Sequence, residues 1–433
     1  MGSSGSSIEK PKIEKTTVFL SKHEEVYRIP ALVFDSKEKT LLAFAEKRKS
    51  EKDATSMALV MKTGNLNREE NSVKWSESKE IMTKKDLKGK RPMNPCPIYA
   101  KKSHTLYLFL IGVEGIIPEA GQIFWGINKA FLFFISTKDG GKTWNDITEL
   151  TDNLSQVKNW ATFAVGPGHG VQTETGRLIV PAYAYPSCYS CCEGGRRCLA
   201  TLFCWCGPFG CTNYCCPPPH ALIIYSDNDK KSLKNGKMLE ETSLECEIAE
   251  MSDGQGKRLI YCNARSWGGL RVEAVAKDCE DSFTKVTSKL VETATGCQGS
   301  VVSFPAQPEE SGLNPAPLWL LYSHPTSQSK RADLGIYRHK SSQDPGEWSK
   351  PWVINSGPSG YSDLAYMEDG LFACLMECGE KSEIEQIAFL FFTYDDVQQG
   401  ISKERSTTLN SSYCPLFTLN IFLDARIETT ILQ

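Results

Sequence analysis

Three arginines lie in short apolar stretches that have the composition of β-strands. They are Arg28 in "VYRIPALVF", Arg265 in "CNARSW" and Arg331 in "SKRADLGIY". A single such arginine is explained by a strand end in solvent, because a buried guanidinium needs an anionic partner. Three converging arginines would repel one another unless an anion held them together. Arginine offers paired donors and a permanent charge, so such a cluster would suit the carboxylate of a substrate.

The elements that could position these arginines are mostly strands. Short runs of β-branched and aromatic residues recur along the chain, such as "TLYLFLIGV", "ALIIYSD" and "IAFLFFTY", separated by clusters of Gly, Asp, Asn, Ser and Pro. The only helical pattern is a weak one at 394–404. Many short strands with turn signals predict an all-β sandwich, barrel or propeller. The length of 433 residues favours the propeller.

A turn motif repeats between these runs. "TKDGGKTW", Thr137 to Trp144, fits a pattern in which Asp caps the turn, Gly takes the left-handed conformation and Trp packs between strands. Weaker copies occur at 226–233 and 276–283. Because each copy follows a strand run, the sequence predicts blades derived from a repeat.

Composition excludes several classes of function. The formal net charge is −3, so electrostatics give no reason to expect nucleic-acid binding. No apolar run approaches the roughly 20 residues of a membrane span, and no secretory signal precedes the first strand, which predicts an intracellular protein with reduced thiols. There is no Walker loop, and the histidine spacings fit no metal site. We therefore expect neither a cofactor nor a metal.

The cysteines are concentrated in one segment. Nine of the 17 lie between Cys188 and Cys216. Their spacing is not that of paired zinc knuckles, although zinc, internal disulfides and a loop without a role remain alternatives. The apolar residues among them favour S-acylation at a membrane surface.

Taken together, these motifs resemble those of the animal exo-α-sialidases, or neuraminidases. "YRIPAL", "TKDGGKTW" and "RADLGIY" carry the resemblance, and "LLAFAEKR", "MNPCP", "LECEIAE", "GYSDLA" and "LFACLMECG" occur in family order. Within the family, the sequence looks closest to the plasma-membrane-associated ganglioside sialidase. The resemblance implies an all-β, six-bladed β-propeller of the sialidase type with Asp-box turns. It covers residues 20–395, with a Cys-rich loop insert at 186–219, an N-terminal tail at 1–19 and a C-terminal tail at 396–433.

The resemblance also implies the catalytic residues. Arg28, Arg265 and Arg331 match the triad that binds the carboxylate of sialic acid. Tyr361 in "GYSDLA" matches the nucleophile, and Glu245 in "LECEIAE" matches its general base. A neutral phenol suits a substrate whose anomeric carbon carries a carboxylate, because that carboxylate would repel an anionic nucleophile. Two further assignments concern carboxylates: Asp53 matches the acid/base, and Glu250 is a less favoured rival to Glu245.

Other matches describe the walls of the site. Met93 and Asn94 resemble residues of the N-acyl pocket. Glu119 and the pair Tyr183 and Tyr185 match positions that contact the N-acyl and glycerol groups. Arg48 matches a residue that contacts the carboxylate or the sugar, and Glu46 lies beside it. We also expect a carboxylate to brace Arg28 in the empty site, and Glu385 is the candidate, with an exposed edge-strand glutamate as the alternative.

The predicted function is hydrolysis of terminal sialic acid, with retention of configuration, from gangliosides and from sialylated oligosaccharides and glycoproteins. One alternative is an inactive sialoglycan-binding propeller, a lectin, which would need the arginines but not the nucleophile. The other is a trans-sialidase, which shares the same residues. Retention of Tyr361, Glu245 and Asp53 together favours an enzyme.

Two features predict a peripheral protein of the plasma membrane or an endomembrane, with a cytoplasmic pool. The start "MGSSGSS" fits a myristoylation pattern at Gly2, although it also resembles an added leader sequence. The cysteine-rich insert would supply the second anchor that a single acyl chain requires.

Overall fold

The computed structural model describes residues 14–67, 70, 72–187, 218–227, 232–279, 281–307, 316–340 and 344–410, with side chains to 403. Three features named above lie outside these residues: the "MGSSGSS" start, the cysteines from Cys188 to Cys216, and residues 411–433. The predictions that concern them stay predictions.

Within the described residues, strands form antiparallel blades in chain order. Blade 1 contains β2 (Val26–Asp35), β3 (Thr40–Arg48), β4 (Ser56–Asn67), β5 (Ser72–Trp75) and β6 (Lys79–Thr83). Blade 2 contains β7 (Arg91–Ala100), β8 (Thr105–Val113), β9 (Ala130–Thr137) and β10 (Thr148–Glu149). Blade 3 contains β11 (Trp160–Val165), β12 (Val171–Gln172), β13 (Leu178–Pro186), β14 (His220–Ser226) and β15 (Leu233–Asn235).

Blades 4 to 6 follow the same plan. Blade 4 contains β16 (Cys246–Ser252), β17 (Arg258–Ala264), β19 (Val272–Ala276) and β20 (Thr284–Val286), beside a ribbon of β18 (Gly269–Leu270) and β21 (Val291–Glu292). Blade 5 contains β22 (Ser300–Pro305), β23 (Leu318–Pro325), β24 (Ala332–His339) and the first part of β25 (Trp352–Tyr366). Blade 6 contains the second part of β25, β26 (Leu371–Cys378), β27 (Gln386–Thr393) and β1 (Thr16–Leu20).

The long strand β25 belongs to two blades. Its first part pairs with β24 and its second part with β26, with a register shift between Ser359 and Ser362. The seven-stranded sheet β1-β27-β26-β25-β24-β23-β22 therefore splits at β25 into two blades. Together with the four other large sheets, this gives the predicted six-bladed propeller.

The first strand closes the ring. β1 pairs with β27, from Thr16 opposite Phe389 to Leu20 opposite Gln386. Val18 and Phe19 are buried in the core between blades 6 and 1. The predicted tail at 1–19 is therefore wrong from Thr16 onward, because its apolar residues supply the outer strand of the last blade.

The weak helical pattern near the end is a helix. α2 (Tyr394–Asn410) begins with a capping box, in which Thr393 N–H donates to the Asp396 carboxylate at 2.8 Å and Asp396 N–H donates to the Thr393 hydroxyl at 3.2 Å. Val397 and Ile401 pack in one buried cluster with residues of blades 5 and 6. The predicted boundary at 395 is therefore wrong, because the helix that follows it contributes to the core.

The Asp-box turn has the predicted structure. The carboxylate of Asp139 accepts a hydrogen bond from Thr143 N–H at 3.0 Å and from the Thr137 hydroxyl at 2.7 Å. A further turn of this kind was not predicted. Asp344 accepts from Gly346 N–H at 2.9 Å, and Trp348 packs against two tyrosine rings of blades 4 and 5. The signal was present as "DPGEW".

A network of buried carboxylates joins the blades at their inner strands. Asp363 of blade 6 accepts from Leu32 N–H of blade 1 at 2.6 Å and from the Ser300 hydroxyl of blade 5 at 2.9 Å. Glu247 of blade 4 accepts from Val301 N–H at 2.9 Å. Burial and then the neighbouring Asp363 carboxylate raise the pKa of Glu247 well above its usual range.

His169 completes this network, with Nδ1 2.7 Å from Asp363. One ligand atom from each of His169, Glu247 and Asp363 lies within 4.8 Å of the others. Histidine spacing could not reveal this group, since its members come from different blades. The Asp363 and Glu247 oxygens accept from backbone and side-chain donors of other blades, so the network joins the blades.

We expect Asp363→Ala to destabilise the fold by about 3–5 kcal/mol, because it leaves the buried Leu32 N–H without an acceptor. Asp363→Asn keeps an acceptor oxygen and should lose less than half as much. Thermal unfolding midpoints of the two variants measure the difference. Equal losses in both would contradict a role for this acceptor.

Candidate active site

The inner strands of blades 1, 2 and 6 are irregular where they reach one end of the ring. β2 shifts register between Arg28 and Ala31, and β7 between Met93 and Cys96. β25 shifts in the same way beside Tyr361. A bulge adds a residue to one strand and redirects its side chains. Three blades therefore direct Arg28, Asn94 and Tyr361 toward the same end of the central channel.

A cavity of about 350 Å³ occupies this end of the channel. Most of the predicted site residues line it. They are Arg28, Arg48, Asp53, Met93, Asn94, Glu119, Tyr183, Glu245, Arg265, Arg331 and Tyr361.

Tyr361, Glu245 and Arg265 form the centre of the site. The phenol of Tyr361 donates a short hydrogen bond to Glu245 Oε1. Arg265 donates from one nitrogen to Glu245 Oε2 at 2.8 Å and to the Tyr361 oxygen at 3.1 Å. A carboxylate that already accepts from the phenol is placed to take its proton.

Burial raises the pKa of the Tyr361 phenol well above its usual value. The Glu245 carboxylate raises it further, while Arg265 and Arg331 oppose this rise. The phenol is therefore neutral at physiological pH, and any reaction through its oxygen needs the adjacent base.

Glu250, the rival to Glu245, is in a different place. It faces a second cavity at the other side of β16, where its carboxylate accepts from Glu174 N–H at 2.9 Å. Glu250 therefore lies away from Tyr361, and Glu245 is the carboxylate beside the phenol.

The other two arginines flank the phenol ring. The guanidinium carbon of Arg28 lies 5.6 Å from the Tyr361 ring centroid, and that of Arg331 lies 5.3 Å from it. Arg331 donates to Gly296 O at 2.9 Å. The three arginines predicted to converge therefore do so, around one phenol.

The brace of Arg28 is Glu377, and the prediction of Glu385 is wrong. Arg28 donates to the two Glu377 oxygens at 2.6 and 3.2 Å, and Ile29 N–H donates to the same carboxylate at 2.9 Å. Glu385 instead accepts from the backbone N–H groups of 380–382 in an exposed turn. The signal that was missed is the lone charge of Glu377 in the apolar strand "LFACLMECG".

Asp53 lines the cavity, as the sequence resemblance implies. It begins a short 3₁₀ turn, Asp53–Thr55, in the connection between β3 and β4. Its carboxylate accepts from Ala54 N–H at 2.7 Å. A loop that composition would describe as solvated therefore places one carboxylate in the cavity.

A buried ion pair supports the neighbouring wall. Arg48 donates to Glu46 at 2.7 Å, and Glu46 is fully buried. The other Glu46 oxygen accepts from Asn94 N–H at 2.7 Å, and Asn94 has a left-handed φ of 54°. Glu46 therefore holds Arg48 and the Asn94 backbone from behind and does not line the cavity.

Helix α1 (Glu119–Trp125) brings Glu119 to the cavity. The Tyr183 phenol donates to Glu119 at 2.8 Å, and the Tyr183 and Tyr185 rings meet edge to face, 6.4 Å apart. Burial raises the pKa of Glu119 to about 7, although the hydrogen bond from Tyr183 opposes the rise. The two tyrosines thus share a face as predicted, with Tyr183 at the cavity and Tyr185 behind it.

Arg91 was not predicted as a site residue. It lines the cavity and donates to Gly115 O and to Ile117 O, the latter at 3.1 Å. These carbonyls belong to the segment that leads into α1. Arg91 therefore holds the loop that carries Glu119, and only its position just before "PMNPCP" could have drawn notice.

Known proteins with the same organisation are sialidases. The BNR repeat-like domain family matches residues 39–374. Sialidase-3 of Bos taurus is 41% identical over 415 residues, which cover 88% of this chain and 92% of the relative. The chain belongs to the sialidase family. Sialidase-2 of Cricetulus griseus is 38% identical over 397 residues, covering 88% of this sialidase and 96% of the relative.

Solved structures agree on the fold. The Hadza microbial sialidase Hz136 superposes on this sialidase with a TM-score of 0.66 at 18% identity, covering 87% of this chain and 67% of that one. The predicted family, the propeller and the activity class of an exo-α-sialidase are confirmed. The roles of individual residues stay predictions.

We expect Glu377→Gln to lower kcat/KM by about 10²-fold, because Arg28 loses its charged brace and its fixed orientation. Glu385→Gln is the matched control, since it removes a nearby carboxylate of the same blade, and it should stay within about twofold of wild type. Steady-state kinetics on a fluorogenic sialoside measure both. A larger loss in the control would restore Glu385 as the brace.

Glu119 should make stability depend on pH. Its pKa is raised from 4.5 to about 7 in the folded state, so the unfolded chain releases this proton first. Wild type should therefore lose on the order of 1–3 kcal/mol relative to Glu119→Gln as pH rises from about 4.5 to 7, and no more above that. Unfolding midpoints across this range measure the difference, and a constant difference would show that Glu119 is not perturbed.

Proposed function

We propose that this sialidase hydrolyses terminal α-linked sialic acid with retention of configuration, through a covalent intermediate on Tyr361. The observation that carries the proposal is the hydrogen bond from the Tyr361 phenol to Glu245 beneath three arginines. A neutral phenol with an adjacent carboxylate base can attack a carbon that bears a carboxylate without charge repulsion.

The first step forms one bond and breaks another. Arg28, Arg265 and Arg331 bind the sialic acid carboxylate. The Tyr361 oxygen bonds to the anomeric carbon as Glu245 takes the phenol proton. The glycosidic bond breaks, and Asp53 donates a proton to the leaving oxygen.

The second step reverses these roles. Asp53, now ionised, takes a proton from water, whose oxygen bonds to the anomeric carbon. The bond to Tyr361 breaks, and Glu245 returns the proton to the phenol oxygen. Two displacements at one carbon give retention, and both carboxyl groups recover their starting protonation.

The walls of the cavity suit the rest of the sugar. We assign the N-acyl group to the side of Met93 and Asn94, and the glycerol group to the side of Glu119 and Tyr183. These polar groups lie beside buried apolar ones, an arrangement that orients a small ligand while excluding water. Arg48, held by Glu46, adds a cation near the carboxylate end.

A lectin that only binds sialoglycans is disfavoured by the same geometry. Carboxylate recognition needs the arginines, but it gives no reason for a base in contact with the phenol. A trans-sialidase shares every one of these groups, and it differs only in the acceptor that replaces water in the second step.

Gangliosides and other sialylated glycolipids are the proposed substrates, beside sialylated oligosaccharides and glycoproteins, at a peripheral membrane location. The reasons are the sequence resemblance and the cysteine-rich insert that follows Tyr185. In the described residues, no helix is long and apolar enough to cross a membrane. Neither the structure nor the relatives support the cytoplasmic pool that the sequence analysis allowed.

Tyr361→Phe should lower kcat by about 10²-fold or more, because the covalent route is lost. Tyr366→Phe, farther along the same strand, removes a phenol outside the cavity and should keep wild-type turnover. Product configuration measured by proton NMR in the first minutes should show the α-anomer of free sialic acid from wild type. Wild-type turnover by Tyr361→Phe, or release of the β-anomer first, would disprove the mechanism.

A further inference from the structure

We propose that the connection between β8 and β9, residues 114–129, inserts exposed apolar side chains into a lipid bilayer and holds the mouth of the cavity against it. The proposal rests on the proposed action on sialylated glycolipids and adds the surface that docks. This surface, called the rim patch below, consists of Ile116, Ile117, Phe124, Trp125 and Ile127.

The rim patch concentrates exposed apolar area. Among the described residues, nine large apolar side chains are exposed, and five of them lie in this one connection. Ile116 is 82% exposed, Trp125 65% and Ile127 54%. Scattered single apolar residues are normal on a protein surface, whereas a cluster of this kind marks an interaction site.

The structure of α1 explains why these side chains face outward. Glu119 and Gln122 take the inner face, where Glu119 accepts from Tyr183 and Gln122 accepts from Lys129 N–H at 2.7 Å. The Phe124 and Trp125 rings meet edge to face, 4.9 Å apart, and occupy the outer face. The polar face is thus used by the site, while the apolar face has no described partner in the fold.

The same end of blade 4 carries a second exposed apolar pair. Trp267 and Leu270 are 56% and 51% exposed, in the connection between β17 and β19. This connection directly follows Arg265, which contacts Tyr361. It occupies the position in blade 4 that the rim patch occupies in blade 2, between the second and third long strands.

Blade 3, between them, continues the same edge. Its equivalent connection follows β13, and the described chain stops at Ser187. The Ser187 hydroxyl donates to Gly126 O, the last residue of the α1 cap, at 3.5 Å. Exposed apolar side chains therefore lie in the corresponding connections of blades 2 and 4, on either side of Ser187, after which the cysteine-rich segment begins.

Basic side chains lie at the same end of blades 1 and 2. Lys49 and Lys52 are exposed in the loop that carries Asp53, and Lys85 and Lys88 are exposed in the connection that leads to Arg91. Exposed lysines beside an apolar patch match an anionic bilayer surface, where each adds about fivefold to binding.

The aromatic content favours a bilayer in particular. Tryptophan prefers the boundary between headgroups and acyl chains, where an apolar ring meets water. Trp125 and Trp267 lie on either side of the blade that contributes Tyr183 to the cavity. Docking by both would bring the cavity to the level at which glycolipid headgroups project.

Vesicle binding of the full chain, produced without acyl modification, tests the proposal. Vesicles of phosphatidylcholine with one-third phosphatidylserine are sedimented with wild type, with Phe124→Ser/Trp125→Ser and with Ile147→Ser. Ile147 is an exposed apolar residue in the connection after β9, at the other end of the blade. We expect the double variant to lose tenfold or more of the binding, by loss of buried apolar area, and Ile147→Ser to bind as wild type.

Two further measurements separate this proposal from the proposed function. Turnover of a soluble fluorogenic sialoside should be unchanged in the double variant, whereas turnover of ganglioside in vesicles should fall. Lipids brominated on the acyl chains should quench wild-type fluorescence more than that of Trp125→Phe. Unchanged vesicle binding by the double variant would overturn the proposal, and so would the finding that the double substitution dissociates a dimer but leaves vesicle binding intact. An inactive wild type would overturn only the sialidase mechanism.

Discussion

Three guanidinium groups around one phenol set the constraint on which the site depends. Each cation must be compensated without filling the space that a substrate anion would take. Arg28 is held by Glu377 from behind, Arg265 by Glu245 and a carbonyl at the side, and Arg331 by the Gly296 carbonyl. The compensation is unequal, because among the described residues Arg331 donates to the Gly296 carbonyl and forms no ion pair with a carboxylate. A net positive field therefore remains over Tyr361, and a carboxylate that enters completes it.

Much of the fold followed from local patterns. Short strands, turn residues and chain length predict a propeller, and the Asp139 turn forms as its side chains require. The arginine cluster could also be suggested from the residues, because a guanidinium buried on a strand face needs an anionic partner. The roles of Tyr361 and Asp53 came from resemblance alone, since a tyrosine in a strand and an aspartate in a charged loop are ordinary features.

What could not be predicted depends on contacts between blades. Glu377 and Glu385 differ by eight residues, and only the pairing of β26 with β25 and β27 shows which one is buried beneath Arg28. The network of Asp363 and His169 joins residues 194 positions apart. Both tail boundaries were misplaced for the same reason, since β1 and α2 gain their apolar partners from sheets that are remote in sequence.

The sharing of β25 by two blades has a consequence for how the ring can vary. Neighbouring blades elsewhere are joined by connections, whose length can change because loops tolerate insertion. Between blades 5 and 6 there is no such joint, and the strand passes directly from one sheet to the next. Lengthening the chain there would shift Tyr361 out of register with β26. The connections between the other neighbouring blades can therefore accommodate insertions and new chain ends, whereas the junction between blades 5 and 6 cannot.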